Sequence, residues 1–596
     1  MSKKWLVAAL LPWASYAQNS SEPTSITIYN RVEQPLTSAL APVAVITKAD
    51  IERRQPRSLV DLLETLPGMQ FGSQNGGIGQ QTSLFVRGTN SDHVLVLFNG
   101  KPMAQMVSSN VDFSQLPVSN VERIEYIRGP RAAIYGSKAI GGVVNIITTS
   151  QVNSAQVGVT TGSNDYYAAD VSINQWITEA TRLQLATGFR ETRGYDVIPD
   201  NNESDRDGFD SKTLTLGIEH LLNQNWIWDA NFNGWENRLE YDGFFNTNNT
   251  KTYQVDTGIR YQGQLLVTQL NASYGEYEAE DWNSDSGRDT ASNTSTATTR
   301  LDGLTQYHYS ERGYVLTGMD WQRDRLLART TGTTAPDRDN TGVYASVFHN
   351  WSPVSVELTG RVDDNEQFGT YETWQGALSI DLPEQHKATL SYGTAFRAPT
   401  LLELYAFWGN PDFDPEESEN WELSFTGDYQ RLNWQLNLYR NEIDNLLFSQ
   451  SPTRKDSTDA LIKGVEFVVK TTTGPVNHTV SFDYTDAEDK RAPNQGKQLA
   501  NRAKRKFSWS GDMDVARTNL FAQVLYVGDR ETFDANSFAR TFTPSYTIWN
   551  IGARYPLTQQ LTLNGKINNL FDKEYQVVSG YDAPDMEFYV GADYRF

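Results

Sequence analysis

The chain has 596 residues, a formal net charge of −22 and no cysteine, which excludes a basic nucleic-acid surface and any thiolate metal or redox centre. Beyond position 17 no apolar run approaches the roughly 20 residues a membrane-spanning helix needs, so a helical membrane protein is excluded as well. Aromatic residues reach 12% while the hydrophobic fraction is only 38% and the mean hydropathy −0.53, a balance at odds with a soluble chain of this length divided among helical domains.

In chain order, residues 1–17 read as a secretory signal peptide. Lys3 and Lys4 give the positive start, residues 5–11 the apolar run, and Ser15, Tyr16 and Ala17 the small-residue cleavage site before Gln18. Export suits a chain without thiols, which cannot form wrong disulfides in an oxidising compartment. Ser25, Ile26, Thr27, Ile28 and Tyr29 follow a polar tail; five β-prone residues there suit strand addition to a partner sheet, or the first strand of the next domain. Residues 31–150 have the pattern of a small mixed α/β domain: a helix over 48–64 capped by Thr47, then Pro67 and Gly68, then short strands and many glycines.

From about Gln156 the period is two. Tyr167, Ala169, Val171 and Ile173 alternate with polar or small residues, as do Leu183, Leu185, Thr187 and Phe189. Short polar turns at 383–387 and 556–560 join neighbouring strands, whereas 190–211, 241–251, 326–341 and 528–544 are long and polar. Tight turns alternating with long loops are the pattern of a transmembrane barrel. The last strand ends Phe588, Val590, Ala592, Tyr594, Phe596, an outward apolar face that closes it.

Two of the long loops are acidic: Asp196, then Asp205 and Asp207, then Glu240, Tyr241 and Asp242. Hard oxygen ligands gathered on adjacent loops suit calcium. The spacing is not that of an EF-hand, and a solvated acidic loop is the competing reading. Catalytic constellations are not evident: residues 76–79 match neither a dinucleotide nor a phosphate loop, and the 6 histidines form no pair with a nucleophile.

Residues 121–148, from Val121-Glu-Arg-Ile-Glu through Gly129-Pro130 to Gly141-Gly142 and Ile147, resemble the plug signature of TonB-dependent outer-membrane receptors. The resemblance implies a plug inside an all-β barrel of about 22 antiparallel strands, each of about 9 to 11 residues, with residues 18–30 as the energy-coupling segment (TonB box region), 31–150 as the plug and 151–596 as the barrel. Within the family the chain is most similar to the vitamin B12 receptors, on residues 30–35, 40–42, 74–77, 85–90, 93–97, 391–399, 409–416 and 567–575.

That similarity implies active import of cobalamin or a related corrinoid across the outer membrane, by a monomer surrounded by outer-membrane lipid. It further implies that the TonB complex engages Ser25, Ile26, Thr27, Ile28 and Tyr29, and that a periplasmic binding protein takes over downstream. Calcium would be held by Asp196, Asp205, Asp207, Tyr241 and Asp242. The following loop, residues 243–249, is short and lacks a further expected carboxylate, so one or two weaker sites are expected. The ligand would meet two apical plug loops through Gln74, Asn75, Gln80 and Thr82, and through Ser108, Ser109 and Asn110, whose amides and hydroxyls donate and accept; residues 103–106 depart from the family pattern. A siderophore or heme receptor is the alternative within transport, and a passive barrel or surface adhesin the alternative outside it.

Overall fold

A computed structural model describes residues 25–26, 29–73, 77–103, 111–150, 152–199, 205–329, 335–406, 409–451, 454–534 and 539–596. Strands from Ser154–Gly162 to Glu587–Arg595 form one closed antiparallel barrel of 22 strands, and the last pairs with the first from Gln156 opposite Arg595 to Gly162 opposite Tyr589. Closure satisfies every strand's backbone groups inside the sheet, which is what a sheet needs in hydrocarbon.

Strand Val354–Asn365 shows how the sequence specifies the two faces. Leu358 and Val362 point outward and are 60% and 46% exposed, while Arg361 and Asp363 point inward at 3% and 0%. A soluble sheet would bury the leucine and expose the arginine, so the inversion places lipid outside and a polar, filled lumen inside.

At one end of the barrel the connections are two to four residues long; at the other they reach 18, at 398–415, 528–545 and 569–586. Barrel strands run from 8 residues (Leu561–Asn568) to 20 (Leu432–Ser451), not 9 to 11. Twenty residues at ~3.3 Å and ~45° tilt rise about 47 Å, beyond the ~30 Å hydrocarbon layer, so the longest strands continue into water and absorb sequence expected as loop. Thus 241–251 shrinks to 241–246, and 528–544 contains a hairpin of Arg530–Phe533 with Arg540–Thr543.

The plug lies inside the lumen. Its five-stranded sheet runs Val43–Thr47, Arg123–Arg128, Gly142–Ile147, Val94–Phe98, Lys101–Pro102, with Val94–Phe98 parallel to Gly142–Ile147 and the other pairs antiparallel. The motif at 121–148 folds as its pattern predicts: a strand, a break at Gly129-Pro130, the short buried helix α3 (Ala132–Tyr135) and a strand ending at Ile147.

The helix expected over 48–64 is two helices, α1 (Lys48–Arg54) and α2 (Val60–Leu63). A capping box starts α1: the Asp50 amide donates to Thr47 Oγ1 at 3.2 Å and the Thr47 amide to Asp50 Oδ2 at 3.0 Å. It stops because Pro56 cannot donate and disfavours helical geometry in its predecessor; Gln55 adopts a left-handed φ of 48°.

Ion pairs tie plug to wall. Arg87 binds Glu422 and Glu466 at 2.8 Å each, Arg128 binds Glu466 at 3.1 Å, and Arg397 of the wall meets Asp92 at 3.0 Å. At the start of the plug, Ser25 and Ile26 pair with Pro35 and Gln34. Tyr29 is fully buried, its hydroxyl donating to Glu357 Oε1 at 3.2 Å beneath the Arg131 guanidinium. In this arrangement Tyr29 belongs to the plug–wall packing; Thr27 and Ile28 lie outside the described residues.

Candidate functional site

The acidic residues sit at the long-loop end. The turn that positions them needs a glycine at 194, since a Cβ there would lie 1.9 Å from the Asp207 carbonyl oxygen and φ is +62°. With residues 193–199 and 205–208 brought together this way, Asp196, Asp207 and Asp242 each bring one carboxylate oxygen within 4.8 Å of the others. The Val197 amide donates to Asp207 Oδ2 at 2.9 Å. Burial, reinforced by the charges of Asp242, Asp205 and Asp196 and only partly opposed by that amide, pushes the Asp207 carboxyl up to about 8. Three carboxylates so close favour either a proton or a cation among them.

Asp205 lies at the exposed rim, outside this group of three. The Tyr241 hydroxyl donates to Asp281 Oδ1 at 3.2 Å. The last loop is stitched to the same turn: the Asp582 amide donates to the Val197 carbonyl at 2.9 Å, and the Tyr195 hydroxyl to the Asp582 carbonyl at 3.1 Å.

Beneath lies the first apical plug loop. Gly79 (φ +83°) faces the Phe209 ring so closely that a Cβ would fall 2.1 Å from it. Gln80 Nε2 donates to the Glu240 carbonyl at 2.9 Å and Thr82 Oγ1 to Asp112 Oδ1 at 3.1 Å; both residues are buried. In this structure Gln80 ties the plug to the wall and Thr82 bonds within the plug, under the acidic loops. Gln74, Asn75, Ser108, Ser109 and Asn110 lie outside the described residues.

A cavity of about 1230 Å³, open mouth included, separates the plug from the wall on the opposite side. Leu95, Met103 and residues 135–138 line it from the plug; Arg300, Arg325, Arg338, Arg361, Asp320 and Asp324 line it from the wall. With Lys138, five cations face two carboxylates. Arg361 is forked onto Asp320 and also bonds Asp363. Arg300 Nε and Nη2 lie 3.6 and 3.5 Å from the Asp302 and Asp320 carboxylates, ion-paired but beyond hydrogen-bond reach, and Arg325 Nε is buried without a hydrogen-bond acceptor among the described residues. In a chain of net charge −22 the cavity surface is thus richer in cations than in carboxylates, with Asp302 and Asp363 paired to Arg300 and Arg361 behind it, and low-dielectric walls concentrate the field of the surface cations on an entering anion.

Sequence reasoning missed this cavity. Its cations are dispersed over five segments, and their only sequence signal is parity: Arg300 and Arg361 fall on inward positions of their strands.

A family model described as "TonB dependent receptor-like, beta-barrel" matches residues 148–570, and one described as "TonB-dependent Receptor Plug Domain" matches residues 35–143. Among solved structures, the chain is similar to the siderophore receptor PirA from Acinetobacter baumannii (TM-score 0.82, 19% identity, 93% of this chain and 98% of that one). It is also similar to a mutant of the ferric enterobactin receptor PfeA from Pseudomonas aeruginosa in complex with enterobactin (TM-score 0.80, 18% identity, 93% and 99%). A third is the ferric-catecholate import receptor Fiu from E. coli K12 (TM-score 0.78, 14% identity, 94% and 98%). At these identities the likeness carries the fold.

Proposed function

The chain belongs to the TonB-dependent receptors and is an outer-membrane β-barrel protein, and from that premise we propose that it imports an anionic ferric siderophore. Receptors of this family are transporters, not enzymes. The observation that carries the substrate class is the cavity with Lys138, Arg300, Arg325, Arg338 and Arg361 on its walls. Guanidiniums bind carboxylate and catecholate oxygens through charge-assisted hydrogen bonds; Arg325 Nε has no hydrogen-bond acceptor among the described residues, and Arg300 holds its carboxylates only at 3.5 and 3.6 Å. The descriptions of PirA, PfeA and Fiu support the same class. Cobalamin, the substrate implied by resemblance, gains no support from either source and gives way to the siderophore reading.

Calcium among Asp196, Asp207 and Asp242 is part of the proposal. The three carboxylates would supply hard oxygens, and the ion would stiffen loop 193–208 over the apical plug loop. Residues 25–29 are proposed as the segment the TonB complex engages, which requires Tyr29 to leave its place beside Glu357.

Equilibrium binding of ferric enterobactin and of cyanocobalamin to the purified, detergent-solubilised chain tests the substrate class. Binding of ferric enterobactin, weakened by Arg300→Ala or Arg325→Ala, is expected. Binding of cyanocobalamin alone, indifferent to those substitutions, would overturn it.

A further inference from the structure

The plug is tied to its wall unevenly. Ion pairs join it to the fifth barrel strand through Lys101 and Asp229, to strands between 292 and 473 through Arg31, Arg87, Asp92, Arg128 and Arg131, and to strands beyond 505 through Glu52, Arg53, Arg57 and Asp61. Among the described residues no ion pair within 4 Å joins the plug to the first four strands, residues 154–221. What holds it there is the Asn120–Thr215 hydrogen bond, the links of the chain that leaves the plug at 148–150, and Arg190.

Between the plug, that wall and the last strands runs a second cavity, about 1140 Å³ with its open mouth included; on the side of the last strands, Arg554 and Arg595 pair with Glu52 of the plug. It extends from Gln156 and Arg595, at the short-turn end, to Tyr166, Arg190 and Ser211, close under the long loops. Arg190 caps it. Its Nη1 donates to the Arg57 carbonyl at 2.8 Å, and its Nη2 to the carbonyls of Gln115 and Leu116 at 3.3 and 3.4 Å. The guanidinium also lies 5.4 Å from the centre of the Phe209 ring, the ring that fills the space Gly79 leaves open. One side chain thus links the top of the cavity to the apical loop.

The energetics differ between the two sides. Separating a buried ion pair strands two opposite charges in low dielectric and loses their attraction, whereas a guanidinium leaving neutral carbonyls strands one charge, which water from the adjoining cavity can take up. Under a pulling force the first four strands, which share no ion pair with the plug among the described residues, are where the plug parts from the wall at least cost, and there the cavity already admits solvent between the two.

We infer that the plug opens along the first four barrel strands, with Arg190 as the positioning residue that latches this edge, and that the solute descends the wall cavity there. The direction of passage rests on the import reading; the opening edge does not.

The chain has no cysteine, so single thiols report without background. Thr213→Cys places one on the cavity wall, and Ser346→Cys one on the tied side, where Ser346 is buried and bonded to Thr359 at 2.9 Å. The purified full chain in detergent is treated with a polyethylene-glycol maleimide, with and without Arg190→Ala. The expected result is a rise of about tenfold in the labelling rate at Thr213→Cys, as a local opening equilibrium shifts, with Ser346→Cys unchanged. Arg190→Lys, which keeps the charge but cannot fork onto three carbonyls, should give a smaller rise and covers the case in which the alanine variant does not fold. No rise at Thr213→Cys in a folded variant, or an equal rise at both positions, would overturn the inference. Neither readout needs a substrate, so its failure is separate from failure of the siderophore reading.

Discussion

Arg361 grips Asp320 through two parallel hydrogen bonds, Nη1 to Oδ2 at 2.8 Å and Nη2 to Oδ1 at 2.9 Å, both side chains being buried between plug and wall. Arg31 and Arg300 converge on the same carboxylate at 4.0 and 3.5 Å. Removing Arg361 takes the strongest partner from a buried anion, a change that typically costs about 3–5 kcal/mol. Arg361→Ala should therefore lower the thermal unfolding midpoint of the purified barrel and weaken ferric enterobactin binding, while Arg361→Lys, a point charge without the fork, should recover only part of either. An unchanged midpoint would mean that Arg31 and Arg300 suffice.

Asp207 gives a pH dependence with a definite sign. Its carboxyl is raised to about 8, so without a cation it holds a proton that an unfolded chain releases near the ordinary carboxylate pKa. Stability from this group is full below about pH 4 and is lost as pH rises towards about 8. A cation must displace that proton, so apparent calcium affinity should climb by at most about tenfold per pH unit below pH 8 and level off above. Calorimetric titration between those limits checks both arms, and Asp207→Asn should remove the slope.

Gly79→Ala puts a methyl group 2.1 Å from the Phe209 ring at a φ of +83°. Loop or ring must move, and strain of this kind costs about 1–3 kcal/mol. Faster limited proteolysis within loop 193–208 is the expected signature, since the displaced ring begins the strand that ends this loop.

Arg31 binds Asp302 at 2.6 Å and its guanidinium also meets the Tyr344 hydroxyl at 3.1 Å. Arg31→Ala should loosen residues 29–32 without unfolding the barrel. Hydrogen exchange at those amides should accelerate while the amides of Val94–Phe98 stay protected; equal acceleration in both would point to a plug that has come apart.

Barrel and plug were legible in the sequence because each depends on local rules. Period-two alternation with leucine outside and arginine inside marks the wall, and Gly129-Pro130 with Gly141-Gly142 marks the turns of the plug motif. Strand length was not legible, because alternation in the strand extensions above the membrane continues through polar residues such as Thr247, Asn248 and Asn249 that look like loop. The helix over 48–64 failed on one residue, Pro56, whose effect on Gln55 outweighed the favourable neighbours. At the acidic site the proximity of Asp196, Asp207 and Asp242 follows from adjacent loops, but the commitment of Tyr241 to Asp281 requires a strand 40 residues away. The arginine cavity was invisible for a similar reason: Arg300, Arg325, Arg338 and Arg361 sit on four successive strands and gather only when those strands pair in register and the plug sets Lys138 against them.

That curling has a consequence for how the molecule comes into being. Strand Ser154–Gly162 finds its second neighbour only in Glu587–Arg595, so the seam joins segments separated by nearly the whole barrel sequence, the slowest kind of contact to form. Until those final nine residues arrive, two naked margins stand open, each a template for a stray strand from another molecule. Delivery of the finished tail is thus the event that commits the sheet to being a cylinder, and a nascent chain must be shepherded until then.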